Sequence, residues 1–238
     1  MIDVLQFYQT SISPLLRYAI LLLAILILWI GLRRAGLATK ARTTGLVATG
    51  VLLAWWALSD LLGRSGVYTE HWGAMRPVGW LIAILFLFPL MRSQAIGAAL
   101  DALPLWWLPL LQLYRASGGL VWFAQVAAGR VPPAFGLVVG IGDLLTGIFA
   151  IVTAIWLLAG IRGGRIAAIA WNIFGLADFA TGFVIGSLLP YNISYPSVMI
   201  PAFMAPLSVN FHALSLRQLL RANRRTSRLP GLAEAKVA

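Results

Sequence analysis

Apolar residues occupy this chain in long blocks instead of marking one face of each element. Seven stretches carry that character, at about 15–32, 45–62, 78–91, 103–128, 134–159, 165–189 and 195–220. A helix crosses an apolar layer ~30 Å thick with about 20 residues, so each stretch is long enough, or nearly so, to span a bilayer. The third has the shortest uninterrupted part, PVGWLIAILFLFPLM, which must recruit Trp72 to Met75 and let Arg76 snorkel to the interface. The fourth is long but interrupted by Gln112, Arg115, Ser117 and the pair Gly118-Gly119. It reads as one helix, with two half-helices meeting at the glycines as the alternative. The turn IRGGR is short enough to make segments five and six antiparallel neighbours, and Pro201 and Pro206 predict a bend in segment seven that frees backbone carbonyls. The first stretch reads as a retained span, because no Lys or Arg precedes it and a basic flank, GLRRAGLATKAR, follows it. The fold predicted is all-α: an integral membrane bundle of seven transmembrane helices forming one domain over 1–220. Segments four to seven form its polar-bearing core, and a basic, disordered tail, RANRRTSRLPGLAEAKVA, occupies 221–238.

Composition sharpens that picture. Of 238 residues 61% are hydrophobic and 11% charged, whereas a soluble surface takes about 25% charged residues. The absence of cysteine excludes disulfides, thiolate metal sites and cysteine nucleophiles, and two histidines are too few for a multi-histidine di-iron centre. No cofactor and no metal site is expected. A net charge of +11 raises the question of nucleic acid. Its distribution answers against it. Thirteen Lys and Arg fall on the side of the C-terminus: Arg33, Arg34, Lys40, Arg42, Arg92, Arg162, Arg165, Arg217, Arg221, Arg224, Arg225, Arg228 and Lys236. Four fall on the other side (Arg17, Arg64, Arg76, Arg130), with Arg115 between. The positive-inside rule then puts the C-terminus in the cytoplasm and the N-terminus outside. The partners expected are the lipid bilayer, anionic lipid at the basic tail at about 1 kcal/mol per basic residue, and a membrane protein or a second copy of the chain. Trp55, Trp56, Trp72, Trp106 and Trp107 fit interfacial belts.

Candidate chemistry lies in the polar residues inside the apolar blocks, where a charge costs roughly 2.5–3.5 kcal/mol on insertion scales. Asp143-Leu-Leu-Thr146-Gly147 and Asp178-Phe-Ala-Thr181-Gly182 repeat a D-x-x-T-G pattern thirty-five positions apart. On a helix, positions i+3 and i+4 share the face of i, so Thr146 and Gly147 flank Asp143 as Thr181 and Gly182 flank Asp178. The glycines, with Gly136/Gly140 and Gly182/Gly186, allow close helix approach. Measured from segment midpoints at about 1.5 Å per residue, Arg115, Asp143 and Asp178 share one layer. Asn172, His212 and Asn210 form a second layer towards the cytoplasm, and Gln112 connects the two. Two aspartates and one arginine leave one negative charge unmatched. Three things settle it: a proton on one Asp, a bound cation, or His212 in its charged form.

Several classes fall away. Seven crossings with an outside N-terminus resemble the microbial rhodopsins in architecture alone. A retinal lysine is lacking, because Lys40 and Lys236 lie outside the spans. His71 and His212 fall on opposite sides of the bilayer, which argues against a bis-histidine haem. Ser117-Gly118 departs from the G-x-S-G turn of rhomboid-type proteases, since position 115 is Arg. In the second half, LPLWWLPLLQLYRASGGLVW, PPAFGLVVGIGDLLTG, WNIFGLADF and YPSVMIPAFMAPLSVNFHALSL carry a recurrent pattern. It runs Q-x-x-R-x-x-G, P-x-x-F…G-D, W-N-x-x-G-x-x-D, and then a Pro-rich last helix with a His. Over roughly 103–220 the chain resembles a group of uncharacterised bacterial multi-pass membrane proteins, which implies the bacterial cytoplasmic membrane and no mechanism. Arg115, Asp143, Asn172, Asp178 and His212 all fall on that pattern. Two functions are expected. One is a small transporter, proton relay or ligand-binding protein using Arg115, Asp143, Asp178, Asn172, His212 and Gln112. The other is a structural or accessory subunit in which the same residues hold helices together.

Overall fold

The computed structural model describes residues 13–36, 38–189, 191 and 193–227, all of whose regular structure is helical. In chain order the helices are α1 (Ser13–Arg34), α2 (Ala38–Arg64), the single turn α3 (Val67–Glu70), α4 (Trp72–Arg92) and α5 (Gln94–Asp101). They continue with α6 (Trp107–Leu111), a 3-10 turn at Gln112–Tyr114, and α7 (Arg115–Ala127). The last three are α8 (Pro133–Leu158), α9 (Gly164–Leu188) and α10 (Ala205–Ser227), the last preceded by a π-helical turn at Ile200–Met204.

Among the described residues, four helices are long and apolar enough to cross a membrane: Leu15–Arg34, Arg42–Arg64, Pro133–Leu158 and Gly164–Leu188. A fifth exists if Pro77–Arg92 and Gln94–Asp101, bent by 78° to one another, form one span. The seven predicted spans are thus corrected to four or five, for two physical reasons. Segment four is split by the turn at Gln112–Tyr114, leaving 13 residues in α7. The break falls ahead of the glycines, not at them. Segment seven carries its α-helix onward to Ser227 through Arg217, Arg221, Arg224 and Arg225, so its C-terminal half is too charged to qualify. The tail expected from 221 is therefore helical as far as Ser227, and 228–238 lie outside the described residues.

Local sequence explains the bends. Pro201 sits in the π-helical turn, where Ala205 N–H bonds Ile200 O five residues back instead of four. Pro206 has no N–H for the carbonyl of Ala202, and Gly79 of α4 packs directly against that carbonyl. Ser93 stops α4 and caps α5, its hydroxyl accepting from Ile96 N–H at 3.2 Å. The IRGGR turn is closed by Gly160 and Gly163 at φ of 64° and 85°, which makes α8 and α9 antiparallel neighbours as predicted.

Packing divides into two parts. An apolar core gathers Ile20, Leu52, Trp55, Ala83, Phe203 and Phe211 from α1, α2, α4, the π-helical turn and α10. Trp55 meets Phe86 and Phe203 edge-on at 6.4 and 4.9 Å, so it belongs to this core and not to the interfacial belt expected for it. The second part is the α7–α8 contact, built on small residues. A methyl on Gly119 would lie 2.9 Å from Leu144 N, and one on Gly147 would lie 2.8 Å from the Ala116 methyl. Close backbone approach here brings Arg115 up to Asp143. Charged groups gather at the two ends of the bundle. Arg17, Asp60, Arg64 and Tyr195 join at one, and Arg92, Asp101, Arg217 and Arg221 share a groove at the other.

Candidate functional site

Arg115 opens α7 and is buried within the bundle at 2% exposure. Its guanidinium donates from Nε to Asp143 Oδ1 of α8 at 2.7 Å, and from a terminal nitrogen to Asp178 Oδ2 of α9. The other terminal nitrogen lies 3.3 Å from His212 Nε2 of α10. The plane of the guanidinium packs over the Phe179 ring, 4.0 Å from its centroid. One side chain thus joins four helices. Arg115 is the partner that the two aspartates share.

Both oxygens of Asp143 are engaged, Oδ2 accepting from the Trp122 indole N–H at 3.1 Å. Asp178 presses against Gly142, where a methyl group would overlap the carboxylate. On the other side, His212 Nδ1 meets Asn172 Oδ1 at 2.9 Å, and Asn172 Nδ2 donates to Ala168 O at 2.8 Å and Ser215 Oγ at 3.1 Å. These contacts fix the histidine's proton. A guanidinium only donates, so Nε2 must accept, and the single ring proton sits on Nδ1 and goes to Asn172. His212 is neutral, and a charged His212 is removed from the three ways of settling the charge. The Trp171 and Phe179 rings enclose His212, with centroids at 4.9 and 6.2 Å.

The two polar layers expected from segment midpoints are therefore one continuous chain: Asp178 and Asp143, Arg115, His212, Asn172, Ser215. Gln112 does not connect layers; its amide donates to Ser208 O at 3.0 Å, away from the charged groups. Asn210 donates to Pro206 O at 3.0 Å and stands apart from His212. The D-x-x-T-G repeat is only half reproduced. Thr146 is fully buried beside the site, but its hydroxyl meets no hydrogen-bond partner, while Trp171 takes its carbonyl at 3.0 Å. Thr181 is exposed and bonds its own helix at Ala177 O, 2.9 Å. Gly147 does serve close approach, and Gly182 lines a cavity beside Asp178, its missing methyl 3.2 Å from Val139.

Sequence reasoning missed Trp122, Phe179, Gly142 and Gly175. A methyl on Gly175 would collide with the His212 ring. Gly142 and Gly175 stand inside the G-D and W-N-x-x-G-x-x-D patterns, so a reading of why glycine precedes each Asp would have found them. Tyr114 was missed as well: its hydroxyl donates to Met204 O at 2.9 Å and contacts Ser208, tying the 3-10 turn to the last helix. A cavity of about 50 Å³ lies against both carboxylates. Among the described residues no group of three or more His, Asp or Glu is arranged to hold a metal ion.

Residues 71–220 match a family described as "Domain of unknown function (DUF8737)". The chain belongs to this family. The matched region spans α4 to α10 and so contains every member of the Arg115 network. It leaves α1, α2 and α3 outside, and it reaches further towards the N-terminus than the recurrent pattern at 103–220. No curated protein and no solved structure matches the chain.

Proposed function

We propose that this DUF8737 member is a multi-pass membrane protein, with its C-terminus cytoplasmic, whose buried Arg115–Asp143–Asp178–His212 site takes up and releases a proton or cation. It would act as a small transporter or relay. The observation that carries this reading is two carboxylates on one guanidinium beside a cavity of about 50 Å³ that touches both. With His212 neutral, the cluster keeps one negative charge in excess until a proton or cation joins it. Asp143 is the anchored member, held from both oxygens. Asp178 is the exchanging member, held from one. Arg115 gives its Nε and both terminal nitrogens to Asp143, Asp178, Gly175 O and His212, so in this reading it sets the state of the carboxylates and does not hold an anionic substrate. His212, Asn172 and Ser215 continue the hydrogen-bonded path towards the basic end of the bundle, where the groove of Arg92, Arg217 and Arg221 suits anionic lipid.

A second reading has its own support. The Arg115 side chain joins α7, α8, α9 and α10, which suits a helix clamp in an accessory subunit. Asp178→Asn separates the two. If exchange is the function, ion or proton flux in proteoliposomes is lost while the unfolding midpoint stays near that of the parent. If the clamp is the function, the variant unfolds earlier and neither protein carries flux.

A further inference from the structure

The cavity beside Asp178 has the chemistry of an ammonium site, and we propose that it binds a small organic ammonium group. The proposal rests on Asp178 being the exchanging member of the buried site. Three observations lead to it. First, the cavity is walled by aromatic rings in two clusters. Trp80 of α4 meets Phe179 and Phe183 of α9 at 6.1 and 5.8 Å, and Phe135 meets Trp122 and Tyr191 at 5.2 and 4.4 Å. Second, the formal charges at the wall are the two aspartates, whose sum with Arg115 is one negative charge. Third, of the four carboxylate oxygens three receive an N–H, whereas Asp178 Oδ1 receives none although its side chain is 7% exposed.

A carboxylate oxygen that receives no N–H, in a cavity lined by aromatic side chains, fits a cation that brings its own N–H donors and a soft, weakly hydrated charge. An inorganic cation fits poorly, since Na⁺, K⁺ and Mg²⁺ need a shell of several oxygens and this wall supplies few besides the carboxylates. Size agrees. One water needs about 10–15 Å³ of such space, so about 50 Å³ admits a group of a few non-hydrogen atoms. The wall also contains Phe183, which is 41% exposed on the apolar surface where Trp80 reaches across from α4. An ammonium on an alkyl chain can therefore enter from the side as well as a free one.

The test is equilibrium binding of radiolabelled methylammonium to the full-length protein in nanodiscs, read by scintillation proximity. Saturable binding is expected that 100-fold excess Na⁺ or K⁺ does not displace. It should be abolished in Asp178→Asn and weakened several-fold in Trp80→Leu, with both variants monodisperse by size exclusion. Displacement by hexylammonium at lower concentration than by methylammonium itself points to a membrane-borne amine; equal displacement points to a soluble one. No saturable binding to the parent protein, or equal displacement by Na⁺, overturns the proposal. In that event infrared spectroscopy tells the two claims apart. A carboxyl band that still titrates with bulk pH and vanishes in Asp178→Asn keeps the exchange reading and sinks the ammonium alone. No such band sinks both.

Discussion

Asp143 and Asp178 look equivalent in sequence, but the structure makes them unequal, and their Asn variants should differ in stability. Asp143 accepts from Arg115 at 2.7 Å and from the Trp122 indole at 3.1 Å, one donor on each oxygen. In Asp143→Asn the amide oxygen can face only one of them. Turned to Arg115, it presents NH₂ to the indole N–H, donor against donor, and leaves a buried donor unsatisfied at a cost of about 1–3 kcal/mol. The bond retained to Arg115 also loses its ionic partner, which weakens a charge-assisted bond by roughly half. Asp178→Asn meets only the second: its bond to Arg115 also loses an ionic partner, but no buried donor is left facing another donor. Its carbonyl still accepts from Arg115, its new NH₂ takes the place of Oδ1, which receives no N–H, and the excess negative charge disappears. The cost should be under about 1 kcal/mol by the same reckoning, and a small gain is compatible with the charge argument. Unfolding monitored by far-UV circular dichroism in SDS titrations of mixed micelles reads the difference directly. Asp178→Asn equal to or more destabilising than Asp143→Asn would refute the assignment of anchored and exchanging roles.

Other perturbations follow from the same geometry. Arg115→Met leaves two buried carboxylates without a cation and should cost about 3–5 kcal/mol, measured by the same titration; adding Asp178→Asn should recover part of that loss. Gly142→Ala places a methyl in the Asp178 carboxylate, and overpacking of this kind costs about 1–3 kcal/mol. Expression and unfolding midpoint should both fall, whereas Gly36→Ala, with open space around it, should be limited to backbone strain at its φ of 67°. Arg221→Ala removes an ion pair to Asp101 at 2.7 Å whose arginine is 43% exposed, so stability should drop by no more than about 1 kcal/mol.

The clamp was legible in the sequence because charge inside apolar helices is rare enough to stand out, and Arg115, Asp143 and Asp178 do meet. The placement of their neighbours was not. Depth reckoned from segment midpoints assumes straight α-helices, and the chain departs from that at the 3-10 turn of Gln112–Tyr114 and the π-helical turn of Ile200–Met204. The first turns Gln112 away from the site. The second shifts the register of His212, so the expected second layer joins the first. Helix α5, QAIGAALD, is eight residues long and too short for periodicity to reveal, although Ser93 before it is an ordinary cap. Trp122 and Phe179 were hidden by their type, since aromatic residues in apolar helices are common, and only their contacts mark these two. The equivalence suggested by the D-x-x-T-G repeat failed at its threonines, because Thr181 lies on the outer face of α9 while Thr146 faces inward.

The central claim is that the buried cluster holds an excess negative charge settled by an exchangeable proton or cation at Asp178. Infrared difference spectroscopy of the protein in lipid, titrated over pH with Asp143→Asn and Asp178→Asn to assign the bands, tests it most directly. The account predicts a carboxyl band that responds to bulk pH, disappears in Asp178→Asn and persists in Asp143→Asn. A spectrum with no titrating carboxyl over the accessible range would mean a sealed Arg–Asp–Asp clamp, and would contradict it.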